Sequence, residues 1–175
     1  RSMNHFPSIK AVAFDCFGTV FDINGIKHED VVSYSRHVRS SNFTPYKFNN
    51  SWYNLKAHSD SADGIKSLQK RGLKCIAFSN GSVDLITSIS QNNGIDWDHI
   101  VDLVANKIYK PHGDAYTIIK KCFGYETSET LMVTANPTFG DIEGSASVGM
   151  MSQVIRHGYP NTILELNEMF GDVDE

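Results

Sequence analysis

Cysteine is scarce: Cys16, Cys75 and Cys122 are the only three in 175 residues, widely spaced and with no CxxC pair. That arrangement argues against a disulfide framework and points to reduced thiols in a cytoplasmic compartment. The seven histidines include no HExxH and no clustered ligand spacing, so a structural zinc is not expected. Glycine-rich nucleotide fingerprints are absent too. Sixteen basic residues against 20 acidic ones give a net charge of −4, with no basic block. Such a surface offers nothing to track a phosphate backbone, which removes nucleic acid as an expected partner. No apolar run approaches the roughly 18 residues of a membrane-spanning helix, so no membrane partner is expected. The opening Arg1 to Phe6 lacks the apolar segment of a signal peptide, and Arg1-Ser2 ahead of Met3 reads as the remnant of an expression tag.

What is present is an ordinary globular mixture, 41% hydrophobic and 21% charged, with 10 Phe and 7 Tyr. The chain is long enough to bury one substantial core. Residues 9–14 form a short apolar run that suits a buried strand ending at Asp15. Residues 20–25, with Asn24-Gly25, suggest a small hairpin or tight excursion. Val31, Val32, Tyr34 and Val38 suit a short helix, and residues 43–52 are polar-aromatic and open to several roles: lid, oligomer contact or local packing. Beyond them the pattern becomes regular. Helices are expected over 60–71, from 83 to about 93, over 113–122 and over 142–148, and strands over 73–78, 100–105, 131–134 and 149–155. Alternation of this kind predicts an α/β domain with a mostly parallel sheet covered by helices. In such sheets ligand crevices form at the carboxyl ends of the strands.

The chemistry-bearing residues fall there. Asp15 follows the first strand, where backbone N–H groups can cradle an anion and the carboxylate can act as a nucleophile; singly, it is as well read as a turn cap. Ser79 and Asn80 follow the second strand and precede a helix, a pairing that suits either an anion or a plain cap. Lys110, held extended by Pro111, can bring its ammonium beside Asp15 and favour the charged, attacking carboxylate. Tyr116, further into the next helix, can face the crevice or pack. Thr134, Asn136 and Asp141 follow the fourth main strand and can orient Lys110 and a hydrolytic water.

Together these segments resemble the haloacid dehalogenase superfamily. Phe14-Asp15-Cys16-Phe17-Gly18-Thr19-Val20-Phe21-Asp22 is similar to its first motif and Phe78-Ser79-Asn80-Gly81 to its second. Tyr109-Lys110-Pro111 with Tyr116 resembles the third, and Val133-Thr134-Ala135-Asn136 through Asp141 to Met150 the fourth. The resemblance implies a Rossmann-like core, residues 1–24 and 60–175, with a small truncated cap insertion at 25–59. Phosphatases of the superfamily carry an acid two residues after the nucleophile and bind magnesium; here that position is Phe17, which cannot donate a proton, and Ala135-Asn136 stands where Gly-Asp is usual. Both departures resemble the metal-independent L-2-haloacid dehalogenase branch. The resemblance then implies Asp15 as nucleophile, with Ser79, Lys110, Asn136 and Asp141 as its catalytic companions. Phe17, Asn80, Tyr116 and Thr134 would surround a small anionic substrate, and no cofactor would be needed. An arginine early in the cap receives the halide in that branch, and Arg36 and Arg39 are the candidates here.

The cap is short for the family, so it should exclude water poorly, accept a larger substrate, or leave a second subunit of a homodimer to cover the site. Asp141 keeps the phosphatase-like spacing from Asn136. Three classes therefore stay open: a metal-free hydrolase of dehalogenase type, a magnesium-dependent phosphatase with Asp15 and Asp141 holding the metal, and a binding domain that has lost turnover.

Overall fold

The computed structural model describes residues 3–158 and 162–171, so the tag-like Arg1-Ser2 lies outside the described residues. The first strand, β1 (Ala11–Phe14), is buried along its whole length, as expected of an unbroken apolar run in the middle of a parallel sheet. After a tight loop, β2 (Phe21–Asp22) leads into α1 (His28–Arg39) and α2 (Asn50–Tyr53), and β3 (Lys56–Ala57) returns antiparallel to β2. The remaining chain alternates: α3 (Ser61–Lys70), β4 (Lys74–Ala77), α4 (Val83–Asn92), β5 (His99–Ile100), α5 (Gly113–Phe123), β6 (Thr130–Thr134), α6 (Asp141–Ala146), β7 (Met151–Val154) and α7 (Ile163–Leu166).

The main sheet has the order β5-β4-β1-β6-β7, and every pairing in it is parallel. β1 is central. Its neighbour in sequence beyond the ribbon, β4, lies on one side and β6 on the other, so the chain reverses its direction of travel across the sheet at β1. Register does the rest: Phe14 pairs with Ala77 and with Val133, which brings Asp15, Phe78 and Thr134 to one level at the carboxyl edge. Successive residues of β1 point to opposite faces. Val12 and Phe14 join the cluster that includes Leu68, Leu85, Ile86 and Ile89, whereas Ala11 and Ala13 join Tyr116, Ile119 and Met132. The sheet is thus covered on both faces, as its apolar strands require.

Two expectations need correction. Of the two readings of residues 20–25, the local hairpin is not formed and the tight excursion is: Phe21–Asp22 pairs with Lys56–Ala57 across a long insertion, and Asp22 accepts the Asn24 N–H at 2.9 Å, turning the chain into α1. The strand expected over 100–105 stops at Ile100, because the Asp102 side chain accepts from the Ala105 N–H at 2.9 Å and closes a turn. The rings of the 43–52 stretch turn inward, against the core and the cavity. Phe48 and Trp52 are buried, and Phe43 stacks on Tyr109 at 4.7 Å.

Candidate active site

Asp15 is built into its place from three sides. Its backbone N–H donates to the Val133 carbonyl at 3.0 Å, continuing the β1–β6 ladder by one residue. Its Oδ2 accepts three bonds, from Thr19 Oγ1 at 3.0 Å, Thr134 Oγ1 at 3.1 Å and Asn136 Nδ2 at 2.9 Å. Both hydroxyls are held to that task, since Thr19 Oγ1 accepts the Ala135 N–H at 2.8 Å and Thr134 Oγ1 accepts the Asn136 N–H at 2.9 Å. A hydroxyl that already accepts from the backbone has its single proton left to give. Asn136 Nδ2 also donates to the Phe17 carbonyl at 2.9 Å, fastening the loop after the strand. That loop turns at Gly18, whose φ of 83° and closeness to the Asn136 amide (an added Cβ would lie 3.0 Å from Nδ2) exclude other side chains.

The other oxygen, Oδ1, has a different fate. It receives the Lys110 ammonium, at 3.3 Å, and otherwise faces a cavity of about 200 Å³. The same ammonium donates to Asp141 Oδ2 at 3.1 Å and lies 5.2 Å from the centre of the Phe78 ring. Burial by itself would favour a neutral amine. The carboxylates of Asp15 and Asp141 outweigh that cost and hold the Lys110 pKa above its ordinary value. The Lys110 backbone is clamped by Asn80, whose Oδ1 accepts its N–H at 2.8 Å and whose Nδ2 donates to its carbonyl at 3.1 Å.

Asp141 opens α6 and is 3% exposed. Burial raises its pKa, against the opposing pull of Lys110. Beneath it, the fully buried Tyr116 donates to Oδ1 at 2.5 Å. Burial, reinforced by Asp141, pushes the Tyr116 phenol well up. Ser79 is buried at the cavity edge, and its Oγ accepts the Gly81 N–H at 3.0 Å. This leaves its proton free to point at a bound group.

Asp15, Phe17, Ser79, Asn80, Lys110, Asn136 and Asp141 all line one cavity, as the strand-end argument expects. Thr134 and Tyr116 do not line it. Each acts from behind, Thr134 on Asp15 and Tyr116 on Asp141, because the first is fully buried at the end of β6 and the second points from α5 into the core. The expected contact of Arg36 and Arg39 with substrate is corrected as well. α1 turns Val31, Tyr34 and Ser35 to the cavity, while both arginines are exposed in its last turn, where cations suit the helix dipole. Residue spacing gives less notice of the other wall, formed by Ile23, Val31, Tyr34, Ser35 and Trp52, with the 73%-exposed Phe139 at the mouth. Thr19 is a further functional position; its only sequence signal is a hydroxyl four residues beyond Asp15.

The donor set does not suit magnesium, which asks for about six oxygens in octahedral array. Asp15 Oδ2 is taken up by three donors, Asp141 Oδ1 by Tyr116, and the two remaining carboxylate oxygens by one ammonium. Phe17 presents a ring where a ligand oxygen or a proton donor would be needed. Among the described residues, no group of three or more His, Cys, Asp or Glu comes together elsewhere, and no helix is long and apolar enough to cross a membrane.

Comparison with known proteins shows the family and the fold. The family model described as haloacid dehalogenase-like hydrolase matches residues 49–149. Haloacetate dehalogenase H-2 of Moraxella sp. (strain B) is 28% identical over 108 residues, 60% of this chain and 47% of that protein. The (S)-2-haloacid dehalogenase of Pseudomonas sp. (strain YL) is 30% identical over 84 residues, 47% of this chain and 36% of its own length. Each match therefore covers less than half of the relative. The structure of an L-2-haloacid dehalogenase from Xanthobacter autotrophicus, with chloropropionic acid covalently bound, superposes with a TM-score of 0.70 at 19% identity, over 95% of this chain and 85% of that one.

Proposed function

Since the chain belongs to the haloacid dehalogenase-like hydrolase family, we propose that it is a hydrolase whose Asp15 attacks the halogen-bearing carbon of a short 2-haloacid. The observation that carries this reading is the inequality of the two Asp15 oxygens: one saturated by Thr19, Thr134 and Asn136, the other turned to the cavity beside Lys110. A carboxylate held in this way is oriented before substrate arrives, which removes much of the entropic cost of attack. The names of the dehalogenase relatives supply the substrate class.

In this mechanism Oδ1 forms a bond to C2, the C–halogen bond breaks, and its electron pair leaves as halide. The configuration at C2 inverts and an aspartyl ester remains. Water then adds to the ester carbonyl carbon. Asp141, the second carboxylate on the cavity wall, takes the water's proton, its pKa raised by burial against the pull of Lys110. The carbonyl–oxygen bond breaks as Asp141 gives that proton to the leaving oxygen; the 2-hydroxyacid departs with the oxygen that Asp15 contributed, the water oxygen stays on Asp15, and the second water proton is lost to solvent as the Asp15 carboxylate is restored. Lys110 holds Oδ1 and Asp141 in one arrangement, while Ser79 offers its hydroxyl to the substrate carboxylate. The cavity, about 200 Å³, is below the roughly 300–1,000 Å³ of pockets for drug-sized ligands and favours a substrate of few heavy atoms. Residues 25–59 serve as lid to a core made of 1–24 and 60–175, in a reducing, cytoplasmic setting consistent with the free thiols.

The test is halide release from chloroacetate and L-2-chloropropionate without added magnesium, together with a single turnover in ¹⁸O-water under excess enzyme. Asp15→Asn is expected to abolish release, and the first turnover to place the label on Asp15 rather than in the product. Label in the first product would mean that water attacks C2 directly. Magnesium-dependent phosphate release from phosphomonoesters, with no halide release, would make the phosphatase reading the correct one.

A further inference from the structure

The hydroxyls of Thr19 and Thr134 both donate to Asp15 Oδ2, so the aim of the nucleophile depends on what holds those two residues. Their carbonyls lead to one place. Ile155, the residue after β7, donates its N–H to the Thr134 carbonyl at 3.0 Å, and His157 Nε2 donates to the Thr19 carbonyl at 2.7 Å. A single short segment, residues 155–157, thus reaches both threonines from behind. Thr19 is fully buried, and among the described residues His157 is the donor to its carbonyl. The rest of its loop is tied elsewhere. The Cys16 carbonyl accepts the N–H groups of Thr19, Val20 and Phe21, and the Val20 carbonyl accepts from Ser61 Oγ at 2.8 Å and from the His58 N–H at 3.0 Å.

A carbonyl oxygen can only accept, so Nε2 of His157 carries a proton, and Nδ1 is left facing Asp60 Oδ1 at 3.9 Å, beyond hydrogen-bond range. The ring has little freedom to turn away. His58 stacks on it with centres 3.4 Å apart and planes 14° from parallel. His58 Nε2 is itself buried without a hydrogen-bond partner, so what this second ring gives the first is its face. Neither histidine lines the cavity. Any effect of the pair on chemistry therefore passes through the backbone of Thr19.

We propose that His157 is a positioning residue for the nucleophile: its Nε2–H holds the Thr19 backbone where the Thr19 hydroxyl fixes Asp15 Oδ2, which leaves Oδ1 aimed at the cavity. His58 is the platform that sets the plane of the His157 ring. The inference rests on Asp15 being the attacking group, as in the reading above, and is independent of which group leaves.

The experiment compares the full chain with His157→Phe, which keeps a ring on His58 but removes the donor, and with His157→Gln, whose amide nitrogen lies as many bonds from the backbone as Nε2. Thermal melts first establish that both variants are folded. Long-range ¹H–¹⁵N spectra of the wild-type chain should show a His157 proton on Nε2; a proton on Nδ1 alone would overturn the assignment. In haloacid turnover His157→Phe is expected to lower kcat about 3- to 10-fold, the range of one ordinary hydrogen bond, with KM little changed. His157→Gln should recover most of that loss. In a Thr19→Val background, where the hydroxyl that relays the effect is gone, His157→Phe should cost almost nothing more. An equal loss in that background, a Gln variant no better than Phe, or a raised KM at unchanged kcat would each reduce His157 to a packing residue. The ¹³C resonance of the Asp15 carboxyl, assigned with Asp15→Asn, needs no turnover: it should move in His157→Phe and return in His157→Gln. That movement in a chain inert towards haloacids would uphold the positioning role and remove the proposed reaction. A resonance that stays in place would remove the role whatever the reaction.

Discussion

Tyr116→Phe separates a residue that touches substrate from one that acts through another. Tyr116 is fully buried, absent from the cavity wall, and donates to Asp141 Oδ1. Removing the hydroxyl leaves the ring packed against Phe78, 5.0 Å away, so no cavity larger than one oxygen opens. Asp141 keeps Lys110 at 3.1 Å and is not orphaned, which spares the roughly 3–5 kcal/mol of an unpaired buried charge. The loss is then that of one hydrogen bond to a charged acceptor, about 1.5–3 kcal/mol. For a domain of this size each kcal/mol lowers Tm by roughly 2–4 °C, so a fall of about 3–12 °C is expected by calorimetry. Kinetically, kcat should drop about tenfold or more, because the base that orders Lys110 and the water is less firmly placed, while KM stays near its wild-type value. Phenol donation favours the charged form of Asp141. Without it the carboxyl pKa, already raised by burial, rises further and the acid limb of the kcat profile moves to higher pH. A raised KM with unchanged kcat would make Tyr116 a substrate contact, and an unchanged Tm would refute the hydrogen bond itself.

Stability offers two independent checks. Gly64 lies where α3 meets α7, and an added Cβ would sit 2.5 Å from Ile163 Cγ2 and 2.9 Å from the Ile163 backbone carbonyl carbon. Gly64→Ala should therefore cost about 1–3 kcal/mol in urea titration, since backbone has to move, with kcat and KM of the folded fraction unaltered; a neutral substitution would show that the two helices are not in this contact. His58 stacks on His157 with ring centres 3.4 Å apart, and burial first, then His157, lowers its pKa from the ordinary 6.5. A depressed histidine pKa means that the unfolded chain binds the proton more readily. The contribution is thus intact above pH 6.5 and lost as pH falls through the lowered folded value. His58→Phe should flatten the fall in urea midpoint below that pH, and an identical slope in the variant would place its origin elsewhere.

How much of this could be read from residue order follows from what fixes each part. β1, β4 and β6 are mostly apolar, Asp15 and Ser79 follow the ends of the first two and Thr134 closes the third, so a parallel sheet alone gathers them at one edge. The resemblance then groups Lys110, Asn136 and Asp141 with Asp15, and three-dimensional distances agree. Direction within an element is harder to read. Tyr116 lies on a helix whose apolar face is wide, and nothing in its spacing tells a hydroxyl aimed at Asp141 from one aimed at substrate. Asn80 similarly spends its amide on the Lys110 backbone, a pairing 30 residues distant that no local pattern announces. Arg36 and Arg39 show the opposite error, in which a charge of suitable type lies on the exposed side of the helix. β2 and β3 are two residues each and pair across the whole insertion, below what periodicity can register.

On the proposed reading, the insertion would make up in aromatic packing what it lacks in length. Tyr34, Tyr46, Phe48 and Trp52 pack on one another, and Phe17 packs among them, 5.1 Å from Trp52. Each such ring can bury about 150–250 Å², so on the proposed reading four of them on some 35 residues would stand in for a larger helical cap over a cavity this small. A phosphatase-type acid in place of Phe17 would break that packing and bring a third carboxylate to a wall that already holds two against one ammonium. The phenyl ring is thus part of the closure as well as a departure from phosphatase chemistry. A lid made in this way leaves little room to widen: a longer side chain on the substrate would have to part Phe17 from Trp52, so turnover should fall steeply as the acid lengthens from two and three carbons to five. Equal rates on long and short acids would mean that the rings part readily and that closure lies elsewhere.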